Sequence, residues 1–233
     1  MKRTVLITGG NKGIGLEVTR LFLKQNYQVH VLARDFSNFE FSGVPDVHTI
    51  EFDLTETNDI EEVVEAVGDI DVLINNAGMM LTRTYDDYPD EAISQTVKIN
   101  LEAPVKLMTA VSKSMVKNQY GRIVNNASVA GQIGHPDVWY GITKAGLINA
   151  TKSFARLLGP QGVLVNCVAP SPVETNMLHS IPETRQAQFK SGTILNRFAT
   201  DAEVAEAIRW LGIDAPDYMN GVCLDINNGS YMR

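Results

Sequence analysis

The chain has 233 residues, 44% of them hydrophobic and 20% charged, with a formal net charge of −7. That length suits one large α/β domain and that composition an ordinary soluble globule. The acidic balance excludes a typical nucleic-acid surface, because phosphate contacts need clustered Lys and Arg.

Short β-branched runs alternate with longer stretches of helical periodicity from end to end. Strands are expected at Thr4–Thr8, Gln28–Ala33, Val47–Phe52, Val72–Asn75, Arg122–Asn126, Val163–Val168 and Val222–Ile226. Most are apolar throughout, as strands buried on both faces should be. Helices are expected over 14–25, 57–67, 90–118, 138–158 and 202–211. This alternation predicts βαβ units, hence a single doubly wound domain over 1–233 with a parallel seven-stranded sheet. Asp35–Pro45 has poor helix signals, so the second crossover should be a loop or a single turn. The stretch 171–196, with Pro172, Pro182 and a short helix near 183–190, reads as an insertion placed to cover a substrate.

The first apolar run, Val5-Leu6-Ile7, meets glycine too soon for a signal peptide or a membrane span, so a cytoplasmic protein is expected. The glycine turn that follows, Thr8-Gly9-Gly10-Asn11-Lys12-Gly13-Ile14-Gly15, lies between a strand and a helix. Glycines there let backbone approach a pyrophosphate whose charge is met by amides at the helix N-terminus, which makes Gly9, Asn11, Lys12, Gly13, Ile14 and Gly15 dinucleotide-binding candidates. The second strand ends Ala33-Arg34-Asp35. A cation at that position suits the 2′-phosphate of NADP(H), and Lys12 offers a second one. Asp35 lies where an NAD-type acid could sit, but beside an arginine it is expected to point elsewhere. Asp53 and Leu54, after the third strand, suit an adenine edge. After the fourth come Asn75-Asn76-Ala77-Gly78, where Asn76, Ala77 and Gly78 let backbone pass close to the cofactor.

Within the long fourth helical stretch, Pro104 lacks the N–H that would bond the carbonyl of Asn100, so a kink is expected there. Ser128 follows the fifth strand, and twelve residues later come Tyr140 and Lys144. Four residues on a helix place phenol and ammonium on one face. A fixed positive charge beside a phenol is expected to lower its pKa from about 10 toward a value useful at neutrality. Cys167 and Cys223 lack metal-ligand spacing and sit in apolar runs, as buried free thiols would. His30, His48, His135 and His179 are scattered and suggest no metal.

Together, Thr-Gly-x-x-x-Gly-x-Gly (8–15), Asn-Asn-Ala-Gly (75–78), Asn100, Ser128, Tyr140-x-x-x-Lys144 and a proline-centred turn running to Thr175 resemble the short-chain dehydrogenase/reductase family. The resemblance is to its single-domain Rossmann form of about 250 residues and covers nearly the whole chain. It implies a homodimer or homotetramer and hydride transfer between a nicotinamide and a small-molecule carbonyl or alcohol, with Arg34 and Lys12 selecting NADP(H). It also implies catalytic roles for Asn100, Ser128, Tyr140 and Lys144, with Pro170, Val173 and Thr175 beside the cofactor. Ser128 would polarise the carbonyl, Tyr140 supply a proton, and Lys144 hold the nicotinamide ribose. Asn100 would hold a water in a proton relay.

The tail Asn220–Met232 and Asn166-Cys-Val-Ala-Pro170 resemble 3-oxoacyl-acyl-carrier-protein reductases in particular. Gln119 and Gln161 stand where those enzymes carry basic docking residues, leaving only Lys117 and Arg122 nearby. An acyl carrier protein is therefore a poorly supported partner, and other ketones stay open. Ser171 replaces a usual glycine and would be strained if its φ were positive. Gln132, His135, Met177 and Leu178, with Trp139, are candidate substrate contacts. Two other readings stand beside the NADPH-dependent carbonyl reductase: an NAD-linked alcohol dehydrogenase, and a silent dinucleotide-binding regulatory protein.

Overall fold

The central strands form from short apolar runs that present branched side chains to both faces, while the two edge strands are more polar and more exposed. The computed structural model describes residues 2–175, 178 and 181–233. Its strands are β1 (Thr4–Thr8), β2 (Gln28–Ala33), β3 (Val47–Glu51), β4 (Val72–Asn75), β5 (Gly121–Asn126), β6 (Val163–Pro170) and β7 (Cys223–Ile226). All pair in parallel, in the order β3-β2-β1-β4-β5-β6-β7. The order reverses direction between β1 and β4, and the crevice above their carboxyl ends is where such sheets take ligands.

The helices are α1 (Gly13–Lys24), α2 (Ile60–Val67), α3 (Asp90–Val97), α4 (Ala103–Asn118), α5 (Val138–Leu158), α6 (Glu183–Ser191) and α7 (Asp201–Ile213). Alternate strand residues face opposite layers. Val5, Ile7, Val29 and Val31 pack with Val18 and Phe22 of α1 and with Val204, Ile208 and Leu211 of α7. Leu6, Leu32, Leu73 and Ile123 pack with Ile60 and Val64 of α2 and with Leu107, Met108 and Met115 of α4. Phe22 is fully buried and meets the Tyr27 ring edge-on at 5.1 Å. Burying such a side chain contributes roughly 1.5–3 kcal/mol.

Three expectations change. The helical stretch 90–118 is not one kinked helix: α3 and α4 are joined by a π-helical turn, Lys98–Glu102. The N–H of Ala103 reaches back five residues to the carbonyl of Lys98. One extra residue in the turn absorbs the donor that Pro104 lacks, and turns of this kind recur at functional sites. Ser171 is buried with a φ that is not positive, and its N–H donates to Ile226 O at 3.0 Å, so serine fits there without strain. Arg122 is not a surface docking residue. It is buried under α7, donating to Ala215 O at 2.8 Å and pairing with Asp217 at 2.7 Å, because orphan carbonyls at a helix end draw a cation.

Candidate active site

The glycine turn caps β1 and opens α1 under the switch point. At Gly15 a Cβ would lie 2.0 Å from the carbonyl oxygen of Gly9, so only glycine lets the turn close. Gly13 has φ +52°, and a Cβ there would meet Thr175 at 3.5 Å, which places Thr175 against the turn. Gly9 lies beside Ala77, and Asn76 Nδ2 donates to Thr8 O at 3.1 Å. A backbone cradle backed by these small residues fits a dinucleotide pyrophosphate at a helix N-terminus.

Around the cradle, Asn11 Nδ2 donates to Asp35 O at 2.8 Å. The Asp35 carboxylate turns to Ser37, accepting from its N–H and its hydroxyl, and those bonds lower its pKa. It therefore points elsewhere, as expected. Arg34 has a side chain 71% exposed, with Nη1 3.9 Å from Asp53 Oδ2, leaving most of its donors open to a ligand. Lys12 is exposed at the start of α1. Asp53 accepts from Thr55 N at 2.9 Å, which lowers its pKa, while Leu54 is buried in the α2/α4 layer.

On the other side of the crevice the strand ends are laced by asparagines. Asn126 Nδ2 donates to Asn76 Oδ1 at 3.0 Å, and Asn75 Nδ2 to Asn125 Oδ1 at 2.8 Å. Lys144, from α5, donates to Asn126 O at 2.8 Å and lies 5.7 Å from the Tyr140 ring centre. Ser128 Oγ accepts from Ala130 N at 3.1 Å, and its hydroxyl lies close enough to the Tyr140 phenol to draw that group's pKa down. Asn100, in the π-turn, is fully buried. Its Oδ1 accepts from Met79 N at 2.8 Å, and its Nδ2 donates to Met79 O and to Thr143 Oγ1. It thereby clamps the segment after β4 that carries Gly78, where a Cβ would stand 3.3 Å from Asn100 Oδ1 and 3.4 Å from Lys144 Nζ. The structure thus gathers Asn100, Ser128, Tyr140 and Lys144 at one place.

The electrostatics differ from the expectation at Tyr140. Burial pushes the phenol up, the nearby Ser128 hydroxyl works against it, and the negative charge of Asp137 adds to the rise. Lys144 does not lower it, because the ammonium is directed at Asn126 O. Burial instead pulls Lys144 down to about 8.

Asp137 escaped the candidate set. It is fully buried and caps α5, accepting from Tyr140 N at 3.0 Å and from the Tyr88 hydroxyl at 2.9 Å. An Asp directly before a helical run is an N-cap signal, so its position was readable; its charge beside the tyrosine was not. Of the substrate candidates, His135 joins the cluster with its ring 5.4 Å from that of Tyr140. Gln132 does not, because its amide nitrogen is drawn away to Asp225 Oδ1 at 2.6 Å. Leu178 packs with Ile181 and Phe198, Trp139 is half-buried, and Met177 lies outside the described residues. Val173 is buried and bridges to Ala199, and Pro170 ends β6.

A sheet of this order with this cluster at its switch point defines a nucleotide-dependent oxidoreductase of the doubly wound class. The short chain dehydrogenase family matches over residues 3–186, and the chain belongs to that family. It is an oxidoreductase acting on CH–OH or C=O groups. The 3-oxoacyl-[acyl-carrier-protein] reductase FabG of Thermotoga maritima is 34% identical over 240 residues, covering 97% of each chain. Among solved structures, ElxO with NADP bound superposes with a TM-score of 0.90 at 29% identity over 99% of both chains. 4-Hydroxyisoleucine dehydrogenase complexed with NADH does so at 0.93 and 25% identity over 98% of both. No described helix is long and apolar enough to cross a membrane.

Proposed function

We propose that the chain is an NADPH-dependent carbonyl reductase that converts a ketone to a secondary alcohol. The observation that carries this reading is the convergence of Ser128, Tyr140, Lys144 and Asn100 beside Gly78, across the crevice from the glycine turn. Amides of Gly9–Gly15 would take the pyrophosphate, Arg34 and Lys12 the 2′-phosphate, and Asp53 and Leu54 the adenine side. Asn76, Ala77, Gly78, Pro170, Val173 and Thr175 would border the nicotinamide half. When bound, the dinucleotide supplies the hydride. Ser128 donates a hydrogen bond to the substrate oxygen, and Tyr140 hands that oxygen a proton as negative charge develops. Lys144 would hold the ribose, and Asn100 would hold a water that links Lys144 to solvent, the route by which Tyr140 recovers its proton. The stretch 171–196 serves as the cover over the substrate.

ElxO, a neighbour over nearly the whole chain, was solved with NADP, in keeping with the exposed Arg34. Asp53 near Arg34 and the neighbour solved with NADH support a second reading, an NAD-linked alcohol dehydrogenase. Fluorescence titration of both cofactors separates the two: tighter NADH than NADPH binding sinks the first. A 3-oxoacyl thioester stays among the substrates, but with Arg122 internal the surface for an acyl carrier protein is thinner still. Exposed Val138 and Ile142 on α5 support assembly as a homodimer or homotetramer, which sedimentation velocity would measure.

A further inference from the structure

Helix α6 has no fully buried residue, and only Arg185, Gln186 and Phe189 turn inward. Gln186 bonds locally to Leu178 O and Ile181 O, and Phe189 leans on the small apolar cluster of Leu178, Ile181 and Phe198. Arg185 instead reaches the catalytic segment: its Nη2 lies 3.2 Å from His135 Nε2. His135 Nδ1 lies 3.1 Å from Asp137 O and 3.2 Å from Asp137 N; because a guanidinium can only donate, Nε2 accepts from Arg185, which leaves Nδ1–H to face Asp137 O and the ring neutral, and burial favours the same state. The guanidinium therefore stands one imidazole ring away from Tyr140.

Its charge is the anomaly. Arg20, Arg122, Arg197 and Arg209 each hold a carboxylate. Among the described residues no carboxylate lies within 4 Å of Arg185. Asp137, the nearest acid felt there, already accepts from Tyr88, Tyr140 N and Leu81 N and is turned toward α5. A guanidinium offers five donors in a fork matched to carboxylates and phosphates, and among the described residues this one bonds only His135, its face lying 5.2 Å over the Phe189 ring. Half-burying such a charge one ring away from the reacting tyrosine, when α6 could have sent it wholly to water, carries a desolvation cost that a bound anion would offset. On a chain of net charge −7, an anionic substrate also needs a local cation to hold it.

We propose that Arg185 is the anion anchor of the substrate pocket, and that the substrate is an oxo acid whose carboxylate lies a few atoms from the carbonyl facing Ser128 and Tyr140. This rests on the carbonyl-reductase reading and adds the substrate's chemical class. A phosphate ester on the ketone is the other source of the same charge.

The test measures binding in a variant that cannot turn over. Tyr140→Phe, saturated with NADPH, is titrated calorimetrically with acetoacetate and 4-oxopentanoate, each against its methyl ester, and with dihydroxyacetone phosphate against dihydroxyacetone. The expected result is that at least one oxo acid binds about ten- to a hundredfold more tightly than its ester. Adding Arg185→Met should abolish that preference, and Arg185→Lys should retain part of it, with no fall in the melting temperature of the ligand-free protein. Equal binding of acids and esters, or a preference that survives Arg185→Met, overturns the anchor. A preference confined to the phosphate ester overturns the carboxylate assignment. Reduction of neutral ketones by the wild type with no acid preference sinks the anchor alone, whereas tight oxo-acid binding with no reduction of any ketone sinks the reductase reading alone.

Discussion

Lys144→Met probes the electrostatics of the site before any cofactor binds. Lys144 is 4% exposed, and burial pulls its ammonium from 10.5 down to about 8. Keeping the protonated form folded therefore costs roughly 3 kcal/mol. Below about pH 8 both folded and unfolded chains hold the proton, so the cost is present in full. Between about 8 and the unfolded value near 10.5 only the unfolded chain holds it, so stability rises with pH, by about 2 kcal/mol at pH 9.5. Methionine removes this dependence. It also leaves Asn126 O without its 2.8 Å donor, a loss on the order of 1 kcal/mol that does not vary with pH. Thermal denaturation of both proteins without cofactor, in steps from pH 7 to 9.5, reads the difference. The variant should be the more stable at pH 7, and its advantage should close by roughly 4–8 °C over the range. A difference in Tm that stays constant with pH would refute the reasoning.

Other perturbations separate the parts of the site. Arg34→Ala should weaken NADPH binding about tenfold and leave NADH unchanged, measured by fluorescence titration at fixed salt. Asp137→Asn removes a negative charge that raises the Tyr140 pKa, so the basic limb of the pH–rate profile should move to lower pH; a limb that stays put removes Asp137 from the electrostatics. Phe22→Ala should cost about 3–5 kcal/mol in urea denaturation, since Phe22 is fully buried between α1, α7 and the sheet.

The sheet was legible because most of its strands are short apolar runs rich in branched residues, with β1, β2 and β4 ending where predicted. The candidate cluster was legible because strand and helix ends place Ser128, Tyr140 and Lys144 at sequence spacings that survive folding. The π-turn was half legible. Pro104 announced a missing donor, but periodicity could not say whether the helix would bend or insert a residue. Three-dimensional partners were not legible. Gln132 looked like a pocket residue until Asp225, 93 positions away, claimed it, and Arg122 looked exposed until α7 closed over it. Nor could spacing foresee that Arg185 would meet His135 across 50 residues. The sign of the Tyr140 shift depends on burial and on where Lys144 points, neither of which a one-face helix argument contains.

The most direct test of the central claim is NADPH oxidation, followed at 340 nm, by wild type and Tyr140→Phe across a panel of oxo acids, diketones and thioesters. The account predicts that wild type consumes NADPH with at least one ketone. Tyr140→Phe should be slower by about 10²–10⁴-fold while binding NADPH equally well. Near wild-type turnover by Tyr140→Phe would contradict it.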